Sequence, residues 1–474
     1  MTGAPAPRAR NALADSARRI APLAWPVLVG QLAVLAFSTI DTVMVARFAA
    51  LDLAALAIGG AVYITVFVGL MGVVLAVGPI SGQLFGAGKL GEAGRQLHQA
   101  IWLALALSVL GCTLLLFPEP FLALSRAQTD VAVKVRGYLA GLAFALPSAL
   151  LFTAFRGFNT AVSRPKIVMA LQLGALLLKL PLNALLVFGH TFATPLGELR
   201  VPAFGAPGCG IATAIVMACQ LAAAWAVLRR DPFYERFGLR TGRLAPPHRA
   251  SLVALLRLGV PMGLSIGIEV TGFTFMAFFI ARIGATPVAG HQIAVTMISL
   301  MFMVPLALAN ATSTLVAQRI GAADPRDARR IGWHGLLLGV LIAAAMGGSV
   351  YLARESILRA YTHDAVIIAA ALPLLAWVML FHVADAAQTL AAFTLRAYRV
   401  ATVPLVIYAT AIWGVGLGGG YALAFNSASP PALQGARGFW AAATAGLLIA
   451  ALGLCWFLAW MLRGQRQDER GVAQ

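Results

Sequence analysis

The chain has 474 residues, of which 60% are hydrophobic and 11% charged, with a formal net charge of +18. Soluble domains carry roughly 25% charged residues, so a water-soluble enzyme or scaffold is excluded and an all-α polytopic membrane protein is expected. The positive excess does not mark a nucleic-acid binder. Lys and Arg gather in the loops on the side of the N-terminus, the bias of segments kept cytoplasmic.

In chain order, residues 1–19 read as an Arg-bearing cytoplasmic tail. The first apolar span, 20–46, is too long for a signal-peptide core and contains Asp41, so no cleavage is expected. Gln31, Ser38 and Asp41 fall on one side of it, and Asp41, six residues before Arg47, belongs to its outer half. Spans follow at 53–79, 96–117 and 133–157. The fifth, 165–190, carries Gln172, Lys179 and Asn183 on one face, and the sixth is 207–228. Residues 229–250, with Arg229, Arg230, Arg236, Arg240, Arg243 and Arg249, read as a basic cytoplasmic linker.

The seventh span, 252–282, pairs Ser265 with Glu269 one turn apart, and Glu269 lies near mid-depth between Arg257 and Arg282. Spans at 286–318 and 331–353 lead to the tenth, 366–395, where His382, Asp385, Gln388 and Thr389 share a face. His291 and Gln292 read as packing or lining residues. Spans 402–424 and 437–462 and a tail, 463–474, complete the chain. Twelve spans place both termini in the cytoplasm.

The chain is doubled. An offset of 235 residues aligns Pro26 with Pro261, Arg47 with Arg282, Gln83 with Gln318, Gly86-Ala87 with Gly321-Ala322, and Arg95 with Arg330. Further on the offset drifts, and Arg156 faces Arg396 at 240. Six spans per half give a parallel repeat. The expected architecture is two pseudo-symmetric six-helix bundles, 20–228 and 251–462, joined by the linker.

A charged side chain at mid-bilayer depth costs roughly 2.5–3.5 kcal/mol on insertion scales. Asp41, Glu269 and Asp385 therefore point to an ion or proton site in a transporter. Such polar faces must turn into the protein or a wet cavity, because lipid satisfies none of their groups. Oxygen donors such as Glu269 and Asp385 suit a hard cation, Na+ or H+, and spacing does not separate the two. His382, one turn from Asp385, is placed to tune it. The four cysteines have no metal-like spacing. The run Gly82-Gln83-Leu84-Phe85-Gly86-Ala87-Gly88-Lys89-Leu90 resembles a P-loop, but its first Gly is one place early and Leu90 stands where Ser or Thr would hold Mg2+. No ATP use, enzymatic chemistry or cofactor is expected.

The segment Pro26–Gly88, with Gln31, Asp41-Thr42-Val43-Met44 and Pro79, resembles the start of multidrug and toxic compound extrusion (MATE) transporters, the NorM-like bacterial branch above all. So do Pro181-Leu182-Asn183, Gly208-Cys209-Gly210-Ile211-Ala212-Thr213, Gly259-Val260-Pro261 through Glu269, Ala289-Gly290-His291-Gln292 and Ala384-Asp385-Ala386-Ala387-Gln388. The resemblance implies twelve helices in two bundles around a V-shaped cleft, and a monomer in the inner membrane of a bacterium is expected. It also implies export of small-molecule drugs or organic cations against Na+ or H+ by alternating access. Asp41, Glu269 and Asp385 match acids implicated in cation coupling, and Asp364 matches a peripheral acid.

Lys179 departs from the pattern, since similar proteins commonly carry Asn there. A pair between Lys179 and Asp41 would leave Glu269 and Asp385 as the main coupling site. The alternatives are a flippase for a lipid-linked precursor, which would want a cationic cleft, and a major-facilitator transporter. The latter's Gly-x-x-x-Asp-Arg signature is missing from Gly86-Ala87-Gly88-Lys89-Leu90-Gly91. A receptor or scaffold would have no need of deep acids.

Overall fold

The structure, a computed structural model, describes residues 9–125, 128–194 and 197–472. Residues 1–8 of the expected N-terminal tail, and the last two of the C-terminal tail, lie outside these. Helix α1 spans Ala9–Phe48, so the described part of the N-terminal tail is already helical. It is followed by α2 (Ala50–Val74), α3 (Val77–Gly86), α4 (Leu90–Leu116), α5 (Glu119–Ser125), α6 (Thr129–Ala161) and α7 (Pro165–Phe188). A hairpin of β1 (His190–Thr194) and β2 (Gly197–Val201), with His190 opposite Val201, leads to α8 (Ala206–Arg230). Then come α9 (Arg249–Ala281), α10 (Ala285–Gly321), α11 (Pro325–Tyr361), α12 (Ala365–Ala397), α13 (Thr402–Tyr408), a π-helix (Ala409–Gly418), α14 (Gly419–Phe425) and α15 (Ala436–Val472).

Among the described residues twelve stretches are long and apolar enough to cross a membrane, in agreement with the twelve expected. The second joins α2 and α3, and the eleventh joins α13, the π-helix and α14. Many large apolar side chains are exposed, among them Phe144, Leu352, Leu452 and Trp456. In a soluble protein such surface would drive aggregation; against lipid it is at home.

The chain divides into two compact units. One is Val29–Gly263; the other combines the described residues up to Leu28 with those from Leu264 onward. The division falls inside α1 and inside α9, and each carries a proline two residues before it, Pro26 and Pro261. Proline removes one helical N–H and crowds the carbonyl four residues back, which weakens the helix at that point.

In the Val29–Gly263 unit, α6 packs most closely on α8. Gly141 and Gly210 allow this. A side chain at Gly141 would lie 2.6 Å from the Gly210 carbonyl carbon, and one at Gly210 would lie 2.6 Å from the Tyr138 carbonyl oxygen. Small residues let backbones meet in this way where no hydrophobic drive exists between helices in lipid. The segment 229–250 packs within this unit. Trp102 and Gln99 of α4 donate to the carbonyls of Ala245 and Pro246 at 3.0 and 2.9 Å. Gln99 and His98 accept from the N–H groups of His248 and Ala245.

At the start of this segment Asp231 pairs with Arg164, whose guanidinium lies 4.1 Å over the Phe233 ring. Burial pushes the Asp231 carboxyl up, but the Phe233 N–H and Arg164 outweigh it and hold it below the usual range. Burial pushes the Tyr234 phenol up to about 12. Its hydroxyl donates to Asn159 at 2.5 Å.

In the other unit α12 is central, in contact with α10, α11 and α15. Its buried alanines, including Ala384, Ala386, Ala391 and Ala392, bring those helices close. The unit's main core gathers Phe381, Tyr408, Phe439 and Trp440.

The internal repeat reappears in backbone detail. The chain leaves α3 through left-handed Gly88 and α10 through left-handed Ala323, at φ 74° and 56°. Both turns close with the same long hydrogen bond, Lys89 N–H to Leu84 and Asp324 N–H to Arg319. These positions keep the offset of 235. The turns after α6 and α12, through Ser163 and Arg399, match each other at 236. The pairing of Arg156 with Arg396 at 240 is therefore corrected by about one helical turn. The gap is set where the helices end, and Arg-x-aromatic is too common a triplet to fix it.

Candidate functional site

The polar groups expected inside the membrane collect in two clusters, one in each unit. The first lies in the Val29–Gly263 unit and joins α1, α7 and α8. On α7, Lys179 and Asn183 are one turn apart and project from the same face. Pro181 between them has no N–H, so the Leu177 carbonyl loses its helical partner there. The Lys179 ammonium donates to Asp41 Oδ2 at 2.8 Å and to Thr213 Oγ1 at 2.7 Å. The Asn183 amide donates to Asp41 Oδ1 at 2.6 Å.

Thr213 stands one turn beyond Gly210, where α8 approaches α6. Its own hydroxyl proton goes to the Cys209 carbonyl at 2.8 Å, which leaves its lone pairs to the ammonium. The Phe37 ring lies 4.9 Å from Lys179 Nζ, a cation–π contact. Lys179 is 1% exposed. The pair anticipated between Lys179 and Asp41 is therefore present, and one hydroxyl, one amide and one ring adjoin it.

Other residues read onto this face stand apart. Ser38 is exposed, and its hydroxyl returns to the Leu35 carbonyl of its own helix at 3.0 Å. Gln31 is half-buried ten residues before Asp41, about 15 Å along the helix. Gln172 is buried, with its amide against Gly30.

The second cluster belongs to the other unit and joins α9, α12 and α13. The Gln388 amide nitrogen lies 2.9 Å from Asp385 Oδ1, 3.1 Å from Thr389 Oγ1 and 3.4 Å from Glu269 Oε1. An amide has two protons for these three acceptors, so the two carboxylates share one donor group. Tyr408 at the end of α13 donates its hydroxyl to Gln388 Oε1. That bond fixes which side of the amide faces the acids. Arg396, two turns beyond Gln388 on α12, is buried and brings a positive charge to the neighbourhood of Glu269. The π-helix is tied to α9 next to Glu269, where Trp413 Nε1 donates to the Ile268 carbonyl at 3.2 Å.

Both carboxylates line a cavity of about 30 Å3 with Phe273, Met276, Phe381 and Ile412. That is room for a water or a small ion beside the two acids.

His382, one turn before Asp385, is fully buried, and its ring nitrogens have no hydrogen-bond partner among the described residues. Ser265 is buried one turn before Glu269. Asp364 caps α12, accepting from the Val366 N–H at 2.8 Å and the Ile367 N–H at 3.4 Å. It stands 21 residues, about 31 Å, before Asp385. His291 is buried against Trp440, and Gln292 is exposed.

Sequence reading did not assign roles to Thr213, Phe37, Tyr408 or Arg396. For Thr213 a signal existed, since it closes the run Gly208–Thr213. Tyr408 carries none, because an aromatic residue in an apolar span looks like core until its hydroxyl finds a partner.

The MatE family model matches the chain twice, over residues 26–185 and 261–422. A probable multidrug resistance protein NorM of Aromatoleum aromaticum is 39% identical over 440 residues, covering 93% of each chain. The multidrug resistance protein PmpM of Pseudomonas aeruginosa is 34% identical, covering 96% of this chain and 93% of its own. The multidrug resistance protein NorM of Vibrio cholerae is 32% identical over 96% of both. Among solved structures, the eukaryotic MATE transporter AtDTX14 superposes with a TM-score of 0.83 at 17% identity, over 96% of this chain and 99% of that one. The Vibrio cholerae MATE transporter VcmN in its bent form gives 0.82 at 18%, over 96% and 99%.

Proposed function

Because the chain belongs to the MatE family, we propose that it is a multidrug efflux antiporter of a bacterial inner membrane, exchanging organic, often cationic compounds for Na+ or H+. The relatives named for multidrug resistance support the substrate class. The observation that carries the coupling role is the pair Glu269 and Asp385, held by one Gln388 amide and lining one cavity.

Two carboxylates sharing one donor in a low-dielectric interior raise each other's energy when both are ionised. A proton or a Na+ ion entering the cavity relieves that repulsion. Gln388 keeps its N–H groups on the acids through the exchange, because Tyr408 holds the opposite side of its amide. Arg396 limits the net negative charge that the site presents. Binding of the cation and binding of the drug then oppose each other, and linkage makes the opposition reciprocal. Alternating access converts it into exchange, with the cation moving inwards and the drug outwards.

The test is drug resistance conferred by Glu269→Gln and Asp385→Asn, with membrane insertion checked in parallel. It is followed by efflux of a fluorescent cation from proteoliposomes under an imposed Na+ gradient and then a pH gradient. Each substitution should abolish resistance while the protein remains inserted. Normal resistance from both variants overturns the coupling role.

A further inference from the structure

We propose that the Asp41 cluster is a monovalent-cation site whose occupant is tethered to the chain: the Lys179 ammonium fills it, and removal of Lys179 opens it to Na+. The first ground is charge. Asp41 supplies one negative charge, and Asn183 and Thr213 supply none. A carboxylate this deeply buried requires one positive partner, and Lys179 meets that need at 2.8 Å. No charge remains to hold a second, free cation beside it.

The second ground is the donor set. The ammonium's oxygen partners are of the kind a hard cation takes, a carboxylate oxygen at 2.8 Å and a hydroxyl oxygen at 2.7 Å. The hydroxyl is fixed as an acceptor, because its proton is committed to Cys209. The Phe37 ring presents a negative face from 4.9 Å.

The third ground is an unspent acceptor. Asn183 is fully buried, and its amide oxygen has no hydrogen-bond partner among the described residues. Nearly all buried polar atoms are paired, so this amide oxygen, on a side chain that already holds Asp41, is free to take a ligand. Carboxylate, hydroxyl and amide carbonyl together form the all-oxygen set that hard cations prefer. Lys179→Asn would vacate the position of the ammonium and add one more amide oxygen.

A plain structural strut would explain the ion pair equally well but makes a different prediction. A strut that loses its lysine leaves Asp41 to take up a proton, with no gain in affinity for Na+.

The experiment is equilibrium binding of radiolabelled Na+ to the purified full chain in detergent, with neither substrate nor gradient. The unmodified protein and Lys179→Asn are compared, the latter also in combination with Asp41→Asn. The expected result is one additional Na+ bound per chain in Lys179→Asn, lost again in the double variant. Thermal stability of Lys179→Asn should rise with NaCl and not with choline chloride. Lys179→Gln serves as the second variant if Lys179→Asn does not fold. Equal Na+ stoichiometry with and without Lys179 overturns the proposal, as does a gain that survives Asp41→Asn. Transport is not measured, so failure of the efflux function and failure of this site are read separately.

Discussion

Removing either member of the Asp41–Lys179 pair should damage the protein far more than removing both. The side chains are 10% and 1% exposed and their charged atoms lie 2.8 Å apart. At an effective dielectric near 20 their attraction is about 6 kcal/mol, set against the desolvation of both groups. Asp41→Asn leaves the ammonium with only neutral oxygens and one ring, and Lys179→Met leaves the carboxylate with no positive partner. Each is expected to lower stability by about 3–5 kcal/mol, the usual consequence of stranding a buried charge. The double variant strands nothing, and its loss should be no larger than that of either single variant. The coupling energy of the cycle should therefore be about 3 kcal/mol or more. The measurement is reversible unfolding of the four proteins by SDS in mixed micelles at neutral pH. Single losses that add to the double within about 0.5 kcal/mol, as independent sites do, would refute the reasoning that these residues act as one unit.

Tyr408→Phe removes the donor to Gln388 at a position 2% exposed and should lower stability by about 1–3 kcal/mol. By freeing the amide it should also raise the cation concentration for half-maximal efflux by up to about tenfold; unchanged proteoliposome kinetics would count against a positioning role. Asp231→Asn should lower stability by about 1 kcal/mol at pH 7. The folded Asp231 carboxyl titrates below its unfolded value of about 3.9. Its contribution is therefore complete above that value and fades as pH falls through the lower folded one. The gap between the two proteins should close below about pH 4, measured by thermal melts across pH. Ala323→Gly should stabilise by about 0.5–1 kcal/mol, because φ of 56° strains any residue with a Cβ. Gly88→Ala should reverse that change. A Cβ there would meet no atom within 4 Å, so melting of the pair isolates backbone conformation from packing.

The fold was legible because lipid imposes a coarse requirement: each span must be long and apolar, and twelve such runs separated by charged loops are plain to see. Asp41, Glu269 and Asp385 were legible for the same reason, since their charge stands out against apolar neighbours. The Lys179–Asp41 contact could be anticipated because each is an isolated charge in its half of the chain. What remained hidden depends on direction. Ser38 falls three residues before Asp41, yet its hydroxyl turns back to Leu35, and spacing does not distinguish these outcomes. Tyr408 and Thr213 act through hydroxyls whose partners come from other helices. The π-helix Ala409–Gly418 has no local cause beyond its glycines, and the β1–β2 hairpin sits in a connection where apolar patterning is silent.

The lysine enclosed by Asp41, Thr213 and Phe37 also bears on how such a protein changes over generations. Lysine and asparagine codons differ only in their third base. On the proposed reading of this cluster, a single nucleotide separates a bundle that carries its own positive charge from one that takes it from the surrounding salt. The fitness effect of that exchange should follow the external sodium concentration and not the drug.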